Sequence, residues 1–262
     1  MPELPDVEGF RRVLAEHATG RRVERVDVLD RGVLRGVAPR RFTERLCGRR
    51  FDEPSRHGKW LIVPMRDGPV LLAHFGMTGS LVWASDGSER HRHDRVVFVL
   101  PDGELRYRDM RKLQGLRLAA DAGEVEEVLA DLGPDAATVS REETRTLLQG
   151  MRRQVKAALV DQSVLAGLGN LLADEILWHA RINPRRICAG LSDDDLAQVH
   201  RSMRSVVRRS VRDERVPPRN SWLTGHRDDR PGSCPRCGAT LAHDRVGGRG
   251  TAWCPSCQPD RT

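Results

Sequence analysis

The beginning of the chain carries a group that could act as a nucleophile. Residues 1–3 are Met-Pro-Glu, and removal of Met1, which the small residue behind it permits, would leave Pro2 as a free secondary amine. An α-amino group titrates near pH ~8, so a useful fraction is unprotonated at neutral pH. Such an amine can attack a sugar or carbonyl carbon and form an iminium, with Glu3 near enough to handle the proton. The alternative is a frayed terminus followed by a helix that Pro5 begins.

Four of the six cysteines have the spacing of a metal site. Two Cys-x2-Cys pairs are separated by 16 residues, and their members are Cys234, Cys237, Cys254 and Cys257. Four thiolates would close a tetrahedral shell, so the spacing predicts one structural zinc ion. A pair of disulfides is the alternative.

The segment between the two cysteine pairs is predicted to form a β-hairpin. It would run from 240–241 to 251–253, with Gly247 and Gly248 near its tip. Arg249 lies beside that tip. A zinc-held hairpin would therefore present Arg249 as a phosphate clamp, although most exposed arginines are merely solvated.

Lysine is rare in this chain. Of 44 basic residues only three are lysines, namely Lys59, Lys112 and Lys156. Where a plain positive charge suffices the chain has arginine, so each lysine is a candidate for a compact or titrating ammonium.

A glycine-bearing turn between two predicted helices, 151–159 and 171–180, is a candidate anion site. The backbone amides of Gly169 and Asn170 would point outward at the start of the second helix, where anions bind. As bare glycine spacing, this signal is weak.

Composition and charge limit the class of protein. The chain has 262 residues, 39% of them hydrophobic, and a net charge of +7, which suits a polyanionic partner. Without a signal peptide or an apolar run of ~20 residues, we expect a cytoplasmic, nucleoid-associated monomer that does not bind a membrane.

The hydrophobic pattern predicts an α+β multi-domain fold. Strands are predicted at 22–29, 59–65, 69–75, 79–84, 95–100 and 104–108. Asp-Gly pairs at 67–68, 86–87 and 102–103 would supply the turns between strands. We expect a helix-flanked antiparallel β-sandwich at 1–122, a helical DNA-binding domain at 123–218 and a zinc-ribbon finger at 219–262.

Four motifs together resemble one protein family. They are Pro-Glu-Leu-Pro-Asp-Val-Glu at 2–8, His-Phe-Gly-Met-Thr-Gly at 74–79, Gly-Leu-Gly-Asn at 167–170, and the terminal zinc ribbon. In this order they are similar to the formamidopyrimidine-DNA glycosylase and endonuclease VIII family. The resemblance implies a β-sandwich, a helix–two-turn–helix domain and a zinc finger. It also implies a base excision repair enzyme that binds double-stranded DNA at a damaged base or abasic site. Such an enzyme removes the base and cleaves the strand by β,δ-elimination.

The resemblance also implies roles for individual residues. Pro2 resembles the nucleophile, Glu3 the acid/base that assists sugar ring opening, and Lys59 a catalytic lysine beside the lesion phosphate. The residues expected to contact DNA are His74, His93, Lys156, Asn170 and Arg249.

Three further residues resemble the family's means of filling the gap that a flipped nucleotide leaves. Met77 resembles the wedge, and Arg111 the arginine that pairs with the orphaned base. Leu113 stands where formamidopyrimidine-type enzymes usually have phenylalanine.

Two departures bear on the substrate. Leu172 stands at a usual tyrosine position. The last predicted helix is capped by Ser192 and has apolar positions from Leu196 to Val207, and only about twenty residues separate its end from Cys234. That segment is short for the loop that covers a flipped 8-oxoguanine, so we do not expect 8-oxoguanine to be the best substrate. The alternatives are a specialised enzyme for abasic sites or bulky adducts, and a DNA-binding protein without catalysis.

Overall fold

The computed structural model describes residues 1–85 and 87–260. Contacts divide this part of the chain into two compact units. The first holds residues 1–2 and 6–131, and the second holds residues 3–5 and the chain from 132 onward. The predicted boundary at 122–123 thus falls within the first unit, and the zinc ribbon shares the second unit with the helices; the three domain limits stay a prediction.

The described part of the first unit contains nine strands. Their bounds are β1 Arg25–Val28, β2 Arg50–Phe51, β3 Ser55–His57, β4 Trp60–Arg66, β5 Val70–His74, β6 Ser80–Ser85, β7 Asp94–Leu100, β8 Gly103–Arg108 and β9 Leu116–Ala119. One sheet has the order β1-β7-β8-β6, and the other has β2-β4-β5-β9 with β3 on β4. All these pairs are antiparallel.

The two sheets share one hydrophobic core, which confirms the predicted sandwich. In β4 the alternate residues Leu61, Val63 and Met65 are buried, as expected for a strand with one face on a core. Phe51 of one sheet lies edge-on to Phe98 of the other, with ring centroids 5.8 Å apart. The short strands β2, β3 and β9 were not singled out because two to four residues carry too little pattern.

The described part of the chain contains seven α-helices. Their bounds are α1 Leu4–His17, α2 Pro39–Leu46, α3 Ala122–Leu129, α4 Arg141–Leu148, α5 Val155–Leu159, α6 Asn170–Ala180 and α7 Asp193–Arg212. Capping boxes begin α4 at Ser140 and α7 at Ser192.

One predicted helix is a turn too long. The prediction was 151–159, but α5 begins only at Val155. The backbone before it bonds to a distant segment instead, because Ala189 N donates to Met151 O and Cys188 N donates to Arg153 O. These remote partners replace the intrahelical bonds that the local pattern favours.

The hairpin of the zinc ribbon turns at its two glycines. Strands β10 (Ala242–Val246) and β11 (Arg249–Trp253) are joined by Gly247 and Gly248, whose φ angles are +56° and +76°. Two consecutive positive φ angles are typical of the tight turn that suits hairpin twist. The predicted turn at 86–87 includes Asp86, which lies outside the described residues.

Within the described residues, no helix is both long enough and apolar enough to cross a membrane.

Candidate active site, DNA-contact residues and metal centre

The four cysteines of the ribbon converge as a metal site requires. Their sulfur atoms all lie within 4.8 Å of one another. The Cys237 sulfur is 3.5 Å from those of Cys254 and Cys257, and the Cys234 sulfur is 4.0 Å from that of Cys257. Tetrahedral zinc with ~2.3 Å bonds to sulfur requires separations of about 3.8 Å, whereas a disulfide requires ~2.05 Å. The set therefore fits one structural zinc ion.

Neighbouring groups orient these sulfurs. Trp178, on α6, donates its indole N–H to the Cys234 sulfur at 3.4 Å, and the Cys257 N–H donates to the Cys254 sulfur at 3.3 Å. Arg236 lies over the Trp178 ring, 4.0 Å from its centroid. Such donors fix the ligands' orientation and stabilise thiolate charge.

Glu3 is held by the first turn of α6. Its Oε2 accepts hydrogen bonds from Gly169 N and Leu172 N, each at 3.0 Å, and its Oε1 accepts one from Leu171 N at 2.9 Å. Glu3 is 2% exposed. Unpaired N–H groups at a helix N-terminus favour an anion. The anion here is a carboxylate of the same chain, so the expectation of an outward-facing anion site at Gly169 is wrong.

Two glycines make room for this arrangement. A Cβ on Gly169 would lie 2.2 Å from Glu3 Cδ, and a Cβ on Gly167, whose φ is +105°, would lie 2.6 Å from Leu4 Cδ1. Leu4 N also donates to Gly167 O at 3.0 Å. The glycine spacing of the turn therefore admits residues 3 and 4 against the start of α6.

Lys156 is buried rather than presented to solvent. Its Nζ is 2.6 Å from Asp174 Oδ1, and both side chains are fully buried. The same Nζ donates to Thr251 Oγ1 at 2.6 Å and to Gly250 O at 3.2 Å. Burial lowers the pKa of Lys156, and the Asp174 carboxylate opposes that shift. In this structure Lys156 therefore ties α5 to α6 and to the zinc-ribbon hairpin.

The carbonyl of Gly250 gathers donors from separate segments. Besides Lys156 Nζ, it accepts from Asn170 Nδ2 at 2.9 Å and from Arg227 Nη2 at 2.8 Å. Arg227 also pairs with Asp174 at 2.8 Å. Arg249, the preceding residue, is exposed. Asn170 is thus held beside Arg249, at the start of β11, through the carbonyl of Gly250.

Lys59 and His74 lie near each other in the first unit. Lys59 is 9% exposed, and His74 ends β5 with its Nδ1 accepting a hydrogen bond from Gly76 N at 3.1 Å. Burial, with the Lys59 charge as a second cause, lowers the pKa of His74 to about 4. A neutral ring whose Nδ1 is an acceptor carries its proton on Nε2. His74 is therefore a neutral N–H donor of defined tautomer.

The three predicted gap-filling residues are exposed, and two of them touch. Met77 is 41% and Leu113 50% exposed. Arg111 Nη1 donates to Met77 Sδ at 3.0 Å. The turn of Met77 and the loop of Arg111 thus present two large apolar side chains and one cation to solvent.

His93 lies beside the loop that carries Arg111. Its carbonyl accepts from Asp109 N at 3.0 Å, and Arg95 Nη2 is 3.0 Å from its Nδ1. Desolvation lowers the pKa of His93, followed in effect by the charges of Arg92 and Arg95. His93 is thus a second imidazole whose protonation is disfavoured by neighbouring cations.

Sequence reasoning did not single out two buried carboxylates, Asp109 and Asp174. Each is 1% exposed and is surrounded by partners distant in the sequence. The one available signal was an acidic residue inside a motif, as in Asp-Met-Arg-Lys-Leu at 109–113.

Three family models match the chain in order. The first, described as the formamidopyrimidine-DNA glycosylase N-terminal domain, matches residues 1–116. The formamidopyrimidine-DNA glycosylase H2TH domain matches 132–217. A zinc finger found in FPG and IleRS matches 234–259.

Curated relatives match along nearly the whole length. The formamidopyrimidine-DNA glycosylase of Symbiobacterium thermophilum is 39% identical over 99% of this chain and 90% of its own. That of Carboxydothermus hydrogenoformans is 32% identical over 98% of this chain and all of its own.

Solved structures of the Lactococcus lactis formamidopyrimidine-DNA glycosylase have the same fold. The complex with DNA that contains an abasic site superposes with a TM-score of 0.87 at 27% identity, covering 98% of this chain and 100% of that chain. The complex with DNA that contains an oxidised pyrimidine gives 0.90 at 27% identity, covering 99% and 100%.

Proposed function

The chain belongs to the formamidopyrimidine-DNA glycosylase family, and we propose that Pro2 and Glu3 carry that family's reaction here. The protein is a bifunctional DNA glycosylase and AP lyase of base excision repair, whose partner is double-stranded DNA with a damaged base or abasic site. Once Met1 is removed, the Pro2 amine attacks C1′ of the damaged nucleotide and the base leaves. The resulting iminium permits β- and then δ-elimination of the flanking phosphates.

The observation that carries this proposal is the fixed position of Glu3. Three backbone N–H groups hold both of its oxygens, and its neighbour Pro2 has its Cα only ~3.8 Å along the chain. Covalent catalysis needs a nucleophile and an acid/base that are held near each other, and here they are consecutive residues, one of which is immobilised. Glu3 would handle the proton as the sugar ring opens.

Each unit, taken by itself, has residues that we propose contact the DNA backbone. In the first, Lys59 supplies a compact charge and His74 a neutral N–H donor. In the second, Asn170 and the exposed Arg249 lie around the Gly250 carbonyl. Phosphate contacts of this kind position a duplex without reading its sequence. We assign Lys156 to holding the hairpin rather than to a phosphate.

The segment between α7 and the first cysteine supports a substrate other than 8-oxoguanine. Trp222 is 2% exposed and Leu223 is fully buried, and Glu175 accepts hydrogen bonds from Leu223 N and Thr224 N. Arg227 continues the attachment through Asp174. Because this segment is fastened to α6, it supplies no long loop to cover a flipped purine. Oxidised pyrimidines, ring-opened purines and abasic sites are the substrates we propose.

Borohydride trapping tests the proposal. The protein, with removal of Met1 checked by mass, is incubated with duplexes that contain an abasic site, an oxidised pyrimidine, a formamidopyrimidine or 8-oxoguanine. We expect a covalent adduct that Pro2→Gly greatly reduces while leaving binding to abasic duplex intact. Protein that retains Met1 is the matched control, because its proline nitrogen lies in a peptide bond.

Two outcomes would overturn it. No adduct from protein with a free Pro2 that binds abasic duplex tightly would leave a DNA-binding protein without catalysis. Full activity of Pro2→Gly would place the nucleophile elsewhere. We further propose that the protein works in the cytoplasm on nucleoid DNA, as a monomer.

A further inference from the structure

Asp109 is a buried carboxylate on which two exposed turns of the first unit converge. Its Oδ1 accepts from the Thr78 hydroxyl at 2.6 Å and from Arg111 N at 3.1 Å, and its Oδ2 accepts from Lys112 N at 3.1 Å. The side chain is 1% exposed. Three donors on one buried carboxylate are strong, charge-assisted contacts.

The backbone of Asp109 is fixed as well. Its N–H donates to His93 O at 3.0 Å, and its carbonyl accepts from Arg95 Nε at 2.7 Å. The turn of Met77 and Thr78, the His93 segment and the loop of Arg111 therefore all meet at one residue.

The loop after Asp109 needs such support because its conformation is strained. Lys112 has φ +54°, a left-handed conformation that is unfavourable for a residue with a Cβ. Asp109 holds its N–H, Asp30 Oδ2 lies 2.9 Å from its Nζ, and Arg35 Nη2 donates to its carbonyl at 2.8 Å. Lys112, the third lysine of the chain, thus stabilises the conformation of this loop.

We propose that Asp109 is a positioning residue that couples the turn of Met77 to the loop of Arg111, so that both enter the gap left by a flipped nucleotide as one body. The inference rests on the proposed function, in which these two side chains fill that gap. Asp109 acts through them, because its burial keeps it from DNA. At the surface, the coupling places Arg111 Nη1 3.0 Å from Met77 Sδ.

The chemistry of the carboxylate makes the coupling testable. Asp109→Asn offers one acceptor oxygen in place of two, so its amide nitrogen must face either Lys112 N or the pair from Thr78 and Arg111. Thr78→Val removes the hydroxyl while keeping the shape of the side chain. This second substitution leaves the hydrogen bonds from Arg111 N and Lys112 N to Asp109 in place. It removes the two bonds that the Thr78 hydroxyl makes between the turns, one donated to Asp109 Oδ1 and one accepted from Arg111 N at 3.0 Å.

The first measurement is the preference for abasic over intact duplex. It is the dissociation constant for intact duplex divided by that for abasic duplex. We expect Thr78→Val and Asp109→Asn each to lower this ratio about 5- to 10-fold, the cost of about one buried hydrogen bond. Trapping on single-stranded abasic DNA, which has no gap to fill, should change less than about two-fold. Thr43→Val, on α2, is the control and should change neither measurement.

A double-mutant cycle separates positioning from general destabilisation. Arg111→Ala should lower the ratio alone, and Thr78→Val/Arg111→Ala should lower it no further, since both act through one contact. Additive losses, or unchanged ratios in folded Thr78→Val and Asp109→Asn, would overturn the coupling. Absence of any adduct and of any abasic preference in the unsubstituted protein would instead overturn the proposed function.

Discussion

At the scale of single residues, burial decides which chemical form a side chain presents. His74 is the clearest case, because desolvation and the Lys59 charge both oppose its protonation. Its Nδ1 is already occupied as an acceptor by Gly76 N. The ring is therefore available to a phosphate oxygen only as an Nε2–H donor, at any pH near neutrality.

His74 should stay neutral well below its usual pKa. Its pKa is about 4 in the folded protein against 6.5 for the ordinary group, so between these values the unfolded chain binds more protons. The free energy of unfolding should therefore fall as the pH falls from 6.5 towards 4, by about 2 kcal/mol at pH 4.5 relative to His74→Gln. Urea unfolding of both proteins at pH 7 and 4.5 measures this difference. An NMR titration of the ring with a midpoint near 6.5 would contradict the assignment.

At the scale of elements, the start of α6 holds Glu3, the proposed acid/base, which lies far from it in the sequence. Of the two glycines that face residues 3 and 4, Gly169 has the closer neighbour, since a Cβ there would lie 2.2 Å from Glu3 Cδ. Gly190 offers a comparison in the same unit, because a Cβ there would have no neighbour within 4 Å.

Gly169→Ala should therefore displace the Glu3 carboxylate. We expect destabilisation of about 1–3 kcal/mol from overpacking and a loss of base excision of at least about ten-fold, with zinc content unchanged. Gly190→Ala should stay within about 0.5 kcal/mol of the parent protein and keep its activity. Single-turnover excision and urea unfolding are the measurements. Equal effects of the two alanines would show that the close approach to Glu3 has no consequence.

The same elements show what local sequence can and cannot predict. The capping box at Ser140, the Gly247-Gly248 turn and the four cysteines were predictable, because their physics lies within a few residues. The partner of Glu3 was not, because it lies more than 160 residues away. The burial of Lys156 was hidden for the same reason, since its carboxylate and hydroxyl partners come from α6 and β11.

Removal of one partner from the buried pair of Lys156 and Asp174 should strongly destabilise the protein. Asp174→Asn would leave the buried ammonium of Lys156 without its carboxylate, whereas the half-buried Arg227 would keep Asp228 as a partner. We therefore expect a loss of about 3 kcal/mol in unfolding free energy, mainly from the unpaired Lys156. Lys156→Met/Asp174→Asn should lose less than the sum of its single substitutions. Asp244→Asn, at the exposed pair with Arg185, is the control and should cost less than about 1 kcal/mol. A cost for Asp174→Asn no larger than this control's would contradict a structural role for the pair.

At the scale of the whole molecule, the net charge of +7 does not show which cations bind DNA. Local contacts pair some cations with carboxylates and leave others exposed to solvent. Lys156 and Arg227 are committed to Asp174. Arg249 is exposed beside the same network. Arg40, on α2, is exposed too, but it pairs with Glu44 on its own helix. Only cations that meet phosphates release counterions when DNA binds.

Salt dependence of binding should therefore distinguish these classes of cation. The logarithm of the affinity for abasic duplex should fall linearly with the logarithm of the salt concentration, and Arg249→Gln should reduce the slope by about 0.9, one phosphate contact. Arg40→Gln should leave the slope unchanged. Lys156→Met should weaken binding at every salt concentration without changing the slope, because a buried ammonium that holds the hairpin releases no counterion. A slope reduced by about 0.9 in Lys156→Met would instead show that this lysine leaves Asp174 and contacts DNA. The change in slope caused by Lys156→Met therefore decides between two roles for Lys156: contact with DNA, or support of the hairpin that presents Arg249.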